Sequence, residues 1–289
     1  SFSGSPIGLN RIVFTPGWFK SYDIPPGIND IPTVYSVKKD KFDRIWVGAR
    51  GKYPLTRISP EAIVENITIS SIENTGNYGA IRAILEVPDG LWIGFYRDLL
   101  LYYDFSTGKF TRHTIEGSNL RMIALDNQEN LLIGLPDNRI GVYNPVSRKI
   151  ERSYSYNFTS PVYKILVCED GIVWAGLYYS KIARLDTNTG DVKLFTLSEE
   201  HYNAEDIYEA SNGNIWVATL GGGVCQFFPD SGEKVFYTTS DGLSNNMTYS
   251  IQGDNNGNIW VSTNTGISRL NPETGMIRNF GLNEGLSIN

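Results

Sequence analysis

The stretch Asp254-Asn255-Asn256-Gly257-Asn258-Ile259-Trp260-Val261-Ser262-Thr263 decides the reading of this chain, because its centre returns along the whole sequence. It recurs as Ile45-Trp46-Val47-Gly48, Leu91-Trp92-Ile93-Gly94, Val173-Trp174-Ala175-Gly176 and Ile215-Trp216-Val217-Ala218, with Leu131-Leu132-Ile133-Gly134 in third place. The central positions 46, 92, 132, 174, 216 and 260 lie 46, 40, 42, 42 and 44 residues apart, the period of four-stranded propeller blades.

The flanks of each centre repeat as well. Ahead of it stand alternating apolar residues, as in Val34-Tyr35-Ser36-Val37 and Tyr249-Ser250-Ile251, and then a turn such as Asp89-Gly90, Asp170-Gly171 or Asn212-Gly213-Asn214. Asp-Gly and Asn-Gly pairs tolerate the positive φ of tight hairpins, so each turn joins two antiparallel strands. Behind the centre come Leu101-Tyr102-Tyr103-Asp104 with Thr107-Gly108-Lys109-Phe110, Ala183-Arg184-Leu185-Asp186 with Thr189-Gly190, and Ser268-Arg269-Leu270-Asn271 with Thr274-Gly275. Each repeat therefore supplies four strands.

The two ends echo parts of the repeat. Aligning the start on the last repeat puts Phe2 on Trp260, Gly8 on Gly266, Arg11 on Arg269, Gly17 on Gly275 and Tyr22 on Phe280, so residues 1–22 read as strands two to four of a blade. Residues 283–289 echo residues 240–246, the segment that leads into an innermost strand. The expectation is one all-β domain over residues 1–289: a seven-bladed β-propeller of four-stranded antiparallel blades. Six repeats are full, and an incomplete seventh is split between residues 1–22 and 286–289. A strand short, the domain is expected to be a fragment of a larger multidomain protein.

With 41% hydrophobic and 12% aromatic residues the chain has ample material for a core. A net charge of −6 argues against a nucleic-acid partner. No run approaches the roughly 20 apolar residues of a membrane span, and the first residues are not those of a signal peptide. Cys168 and Cys225 read as small buried hydrophobes. Neither a metal-ligand spacing nor a cofactor motif is present, and the Asp254 stretch lacks the Gly and Glu of a calcium loop, having Ile259 and Thr265 there instead. The chain has two histidines, His113 on an outer strand, where exposure is expected, and His201 in a loop between blades. No catalytic residue is assigned. Trp46, Trp92, Leu132, Trp174, Trp216 and Trp260 are expected to form the blade cores, since cores recur with every unit and ligand sites do not. Trp18 stands outside that register.

The pattern D-x-x-G-x-I-W-V-G-T followed by G-ϕ-x-R-ϕ-D/N resembles the two-component regulator propeller repeat. Asp254 to Thr263 with Gly266-Ile267-Ser268-Arg269-Leu270-Asn271 carries the likeness best, and Ser240-Asp241-Gly242-Leu243-Ser244-Asn245-Asn246 looks like the interblade segment of that family. The resemblance is strongest in the fifth and sixth repeats. It implies the periplasmic sensor region of a hybrid two-component histidine kinase of gut Bacteroidetes, detecting oligosaccharides from glycan breakdown and not itself catalytic. It further implies an extracytoplasmic location in a membrane-anchored inner-membrane parent, with the other domains of that sensor and a second copy in a homodimer as partners. Two alternatives stand beside it, a lyase related to the streptogramin lyases and a protein-interaction or dimerisation platform. No matching His and Glu constellation supports the lyase.

A ligand is expected where loops between the second and third strands converge on the central channel. Those loops offer Arg50, Tyr53, Tyr96, Arg97, Arg139, Tyr178 and Tyr179, while the fifth and sixth repeats offer Gly and Asn. Aromatic faces stack on sugar rings and guanidinium forks pair with acid groups, so an anionic sugar is the favoured ligand.

Overall fold

The computed structural model describes residues 2–4, 9–12, 19–22, 33–50, 53–69, 79–115, 118, 120–135, 139–168, 170–284 and 286. Strands β1 (Phe2–Gly4), β2 (Leu9–Ile12) and β3 (Phe19–Tyr22) form a three-stranded sheet. Six four-stranded antiparallel sheets follow in chain order. Blade 1 holds β4 (Val34–Lys39), β5 (Ile45–Ala49), β6 (Leu55–Ile58) and β7 (Val64–Asn66). Blade 2 holds β8 (Ile81–Val87), β9 (Gly90–Phe95), β10 (Leu99–Asp104) and β11 (Phe110–Thr114). Blade 3 holds β12 (Ile123–Leu125), β13 (Leu131–Leu135), β14 (Arg139–Asn144) and β15 (Lys149–Ser155). Blade 4 holds β16 (Lys164–Val167), β17 (Ile172–Gly176), β18 (Lys181–Asp186) and β19 (Val192–Thr196). Blade 5 holds β20 (Asn203–Glu209), β21 (Ile215–Leu220), β22 (Gly223–Phe227) and β23 (Lys234–Tyr237), and blade 6 holds β24 (Thr248–Gly253), β25 (Ile259–Thr263), β26 (Gly266–Leu270) and β27 (Ile277–Phe280). Two short 3-10 turns, Thr239–Asp241 and Leu282–Glu284, are the helical segments among the described residues.

Among the described residues the blades number six, and the incomplete seventh expected from residues 1–22 and 286–289 is not assembled as a blade. Residues 2–22 do form three strands, but no fourth pairs with them among the described residues, because Leu286 lies in no strand and residues 287–289, like Trp18, fall outside the described set. The inner strands β4, β8, β12, β16, β20 and β24 neighbour one another in turn, and β1 lies against β4 as β5 lies against β8.

Burial grades across each blade and accounts for the sequence pattern. Every residue of β5, β9, β13 and β17 is buried, whereas the outer strands β11, β15 and β23 carry exposed positions. A second strand lies between two neighbouring sheets, so both of its faces need apolar side chains. The repeated aromatic fills the junction with the next blade. Trp46 packs with Ile81, Leu91 and Leu99 of blade 2, Trp92 with Leu131 and Ile133 of blade 3, Trp174 with Ile207 and Val217 of blade 5, and Trp216 with Ile251 and Val261 of blade 6. Leu132 does the same at the junction of blades 3 and 4, beside Val173 and Ala175. Trp260 stacks on Phe280 and joins Leu286. All six repeat centres are buried.

The Asp that opens the turn organises the hairpin in three repeats, and in two of them it ties the hairpin to this core. Asp40 accepts the amides of Phe42 and Arg44 and, at 2.8 Å, the Trp46 indole N–H. Asp254 accepts the amides of Asn256 and Asn258 and the Trp260 indole at 2.8 Å. Burial pushes the Asp254 carboxyl up, but these hydrogen bonds outweigh it and hold the group below the usual carboxylate range. Asp126 caps its turn through Gln128 and Asn130 in the repeat that has Leu132 for Trp. The Arg of the repeat lies opposite the Trp on the next strand, Arg57 at 5.5 Å from the Trp46 ring and Arg269 at 5.7 Å from the Trp260 ring.

Candidate functional site: the ring of inner-strand bulges

The pairing of inner and second strands slips by one residue between Val34 and Ser36, Ile81 and Ala83, Ala204 and Asp206, and Thr248 and Ser250. A bulge of this kind drops one residue out of the ladder and re-aims its side chain. The released residues are Tyr35, Arg82, Glu205 and Tyr249. In blades 3 and 4, Ile123 pairs with Ile133 and Lys164 with Gly176, which puts Arg121 and Tyr163 at the corresponding place just ahead of the strand. The six blades therefore present Tyr, Arg, Arg, Tyr, Glu and Tyr in order at one level of the ring.

These side chains meet. The Arg82 guanidinium carbon stands 3.6 Å from the centre of the Tyr35 ring and 5.3 Å from that of Tyr96, while that of Arg121 stands 5.4 Å from Tyr96 and 4.4 Å from Tyr163. Tyr163 packs edge-on to Tyr178 with ring centres 4.7 Å apart. Burial holds the Tyr163 hydroxyl well above its usual range, and its hydrogen bond with Tyr178 adds to this. Burial likewise raises the Glu205 carboxyl, and Arg121, Arg82 and a hydrogen bond with Asn203 partly oppose it. Blade 5 thus feels both guanidiniums across the ring. Glu205 nevertheless makes no ion pair with either one among the described residues, and the Nε atoms of Arg82 and Arg121 are both buried without a hydrogen-bond partner there. Leaving such donors unpaired costs about 1–3 kcal/mol each, and both belong to this ring.

One residue further along, the same register closes on itself. Lys164 Nζ lies 2.8 Å from Asp206 Oδ1, and Ser250 Oγ and the Ile251 amide donate to Asp206 Oδ2 at 2.9 and 3.0 Å. Three successive inner strands, β16, β20 and β24, are linked by this network.

Of the residues expected to carry the ligand, Tyr96 and Tyr178 reach the ring. Arg50, Tyr53 and Arg97 lie at exposed positions, Arg139 donates to Ser153 Oγ at 2.8 Å across its own hairpin, and Tyr179 faces out against Phe158 and His201. Tyr35, Arg82, Arg121, Tyr163 and Glu205 lie on or just ahead of inner strands, outside the loops in which a ligand is expected. A signal for them exists, since positions 35, 121, 163, 205 and 249 each stand 11 residues ahead of the repeat centre and Arg82 stands 10 ahead. His113 also departs from expectation. It is buried, its Nδ1 2.9 Å from the Tyr143 hydroxyl and its ring edge-on to Trp92, because β11 packs this face toward blade 3. Burial pushes the His113 pKa down, and Arg148 adds to that. Cys168 and Cys225 are both buried, and burial pushes the Cys225 thiol up to about 12. Among the described residues no cluster of metal-ligating side chains occurs.

Comparison with known proteins agrees with this architecture. The family described as Two component regulator propeller matches residues 196–221 and 242–265, which run through blades 5 and 6. Histidine kinase P4 of Formosa agariphila is 26% identical over 249 residues, covering 78% of this chain, and the chain spans 18% of the length of that kinase. Among solved structures, a catalytically inactive histidine-to-alanine variant of virginiamycin B lyase from Staphylococcus aureus, with quinupristin, is similar at a TM-score of 0.72 and 15% identity over 98% of this chain and 89% of the lyase. The WD40 propeller domain of Doa1 is similar at 0.68 and 16% over 90% and 84%. Likeness at such identities is one of fold. With the repeat pattern, the six antiparallel blades and the matched segments in place, the chain is a β-propeller that carries two-component regulator propeller repeats in its fifth and sixth blades.

Proposed function

We propose that this chain is the ligand-sensing extracytoplasmic propeller of a hybrid two-component sensor, that it is not catalytic, and that it responds to oligosaccharides from glycan breakdown bound at the bulge ring. The observation that carries this reading is the pair of buried, unpartnered guanidinium Nε atoms set among Tyr35, Tyr96 and Tyr163. Sites of this kind bind by stacking and by a few fixed polar groups. The kinase relative supports a signalling parent, and the membrane anchor and periplasmic placement of that parent belong to the same proposal. We also read β1–β3 as the outer strands of an incomplete blade at the start of the ring, since β1 meets β4 as other second strands meet the next inner strand.

Fold likeness to a lyase raises the enzymatic alternative. The two histidines are poorly placed for it, His113 being enclosed between Trp92 and Tyr143, and His201 standing on the rim against Tyr179. A panel of glycan-derived oligosaccharides tested by thermal shift decides the matter. An active compound should raise the melting temperature of the wild type and lose its effect on Arg121→Gln. A compound that stabilises both proteins equally would place the site elsewhere, and turnover of any panel member would restore the lyase reading.

A further inference from the structure

The ring does not stand alone. From Tyr163 an unbroken run of aromatic rings leads outward over blades 4 and 5: Tyr163 to Tyr178 at 4.7 Å, Tyr178 to Tyr179 at 5.9 Å, and Tyr179 to His201 at 5.1 Å, with Phe158 on its flank at 6.2 Å. Exposure rises along the run, from the half-buried Tyr163 and Tyr178 to Tyr179 at 49%. The turn that carries Tyr179 outward is strained, because Tyr179 and Ser180 both sit in the left-handed region with φ of 58° and 54°. Two successive non-glycine residues in that region persist only where the surroundings hold them. Ser180 does the holding. It is buried, its amide and hydroxyl donate to the carbonyls of Tyr202 and Glu200 respectively, and it accepts from the Leu197 and Tyr202 amides at 2.7 and 3.0 Å. The fold thus spends strain on keeping one tyrosine at the surface next to the ring.

Charge runs in the opposite sense along the same line. At the inner end stand Arg82 and Arg121, with the carboxyl of Glu205 near both. At the outer end the exposed Glu199 and Glu200 adjoin His201.

We infer that the chain takes an oligosaccharide by an anionic terminal sugar, the acid group lying between Arg82 and Arg121 and the following neutral sugars running outward over Tyr178, Tyr179 and His201. This rests on the ring reading proposed above and adds a direction, a length and a charge pattern to it. The guanidinium Nε atoms supply donors to the acid group, and the aromatic run supplies faces for two or three further sugars. Glu199 and Glu200 disfavour a second negative charge at the far end.

The test measures binding to this chain by calorimetry, using glucuronate and galacturonate monomers, neutral tetrasaccharides, the same tetrasaccharides capped with one uronate, and tetragalacturonate. A capped tetrasaccharide should bind about tenfold more tightly than its monomeric acid, as expected for one or two stacked rings. The neutral tetrasaccharide and tetragalacturonate should both bind at least about tenfold more weakly than the capped one. Tyr179→Ala and His201→Ala, both at exposed positions, should remove the advantage of length and leave the monomer within about twofold. If the monomer binds and is lost in Arg121→Gln while length adds nothing, or if Tyr179→Ala keeps the full gain, the track is refuted and the ring stands. If no uronate-bearing probe binds, or neutral and capped chains bind alike, ring and track fall together.

Discussion

At the residue scale, the repeat centre fills a junction between blades, and in Trp46 it also anchors a turn through its indole N–H. Trp216 illustrates the first, being fully buried between blades 5 and 6 against Ile251, Val261 and the Tyr237 ring. Trp216→Ala should cost roughly 3–5 kcal/mol through the cavity left behind, read as a fall in the denaturant midpoint; an unchanged midpoint would refute the packing. His113 makes a prediction with a sign. Its folded pKa is depressed below 6.5, so the stability it contributes is present above that value and is lost as pH falls through the folded pKa. Stability should therefore decline as pH falls below about 6.5, and the decline should flatten in His113→Phe. The burial of His113 was not legible in the sequence, because an outer strand is exposed by default. Only its contacts with Trp92 and Tyr143 reverse that expectation.

At the scale of the strand, hairpins and bulges divide what the sequence shows from what it hides. Turn residues were legible because their chemistry is local: Gly213 and Gly257 take φ of 79° and 76° where Asn-Gly pairs announced hairpins. The tight turn between β21 and β22 offers a direct check. Gly223 has φ +76°, and a Cβ there would lie 2.2 Å from the Tyr237 carbonyl oxygen. Gly223→Ala should thus lower stability by about 2 kcal/mol or more, since strain and a backbone clash combine. A variant as stable as the wild type in urea would contradict the described turn. The bulges were hidden, because a one-residue slip leaves no mark on composition. Tyr35, Arg82 and Glu205 read as ordinary strand residues until the pairing register takes them out of the ladder.

At the scale of the molecule, the repeat spacing made the architecture legible and the blade count less so. Six repeat centres correspond to six four-stranded blades, whereas aligning the ends predicts an incomplete seventh split between the termini, and the described residues give a three-stranded sheet at the N-terminal end alone. Pairing of a further strand depends on hydrogen bonds between segments remote in sequence, which an alignment of side-chain patterns does not report. The candidate ring is half legible in the sequence. Tyr96 and Tyr178 sit on loops, where function is sought first, but Arg82 and Arg121 come from the innermost strand of blade 2 and from just ahead of that of blade 3.

The substitution that makes blade 3 irregular also makes one junction optically silent. Trp46, Trp92, Trp174 and Trp216 report on the contacts between blades 1 and 2, 2 and 3, 4 and 5, and 5 and 6, but Leu132 gives the contact between blades 3 and 4 no indole to emit. Separation of the chain at that one seam would leave intrinsic fluorescence almost unchanged while circular dichroism or amide exchange registered it. Placing an indole there by Leu132→Trp would turn the silent seam into the only one whose emission differs between variant and parent.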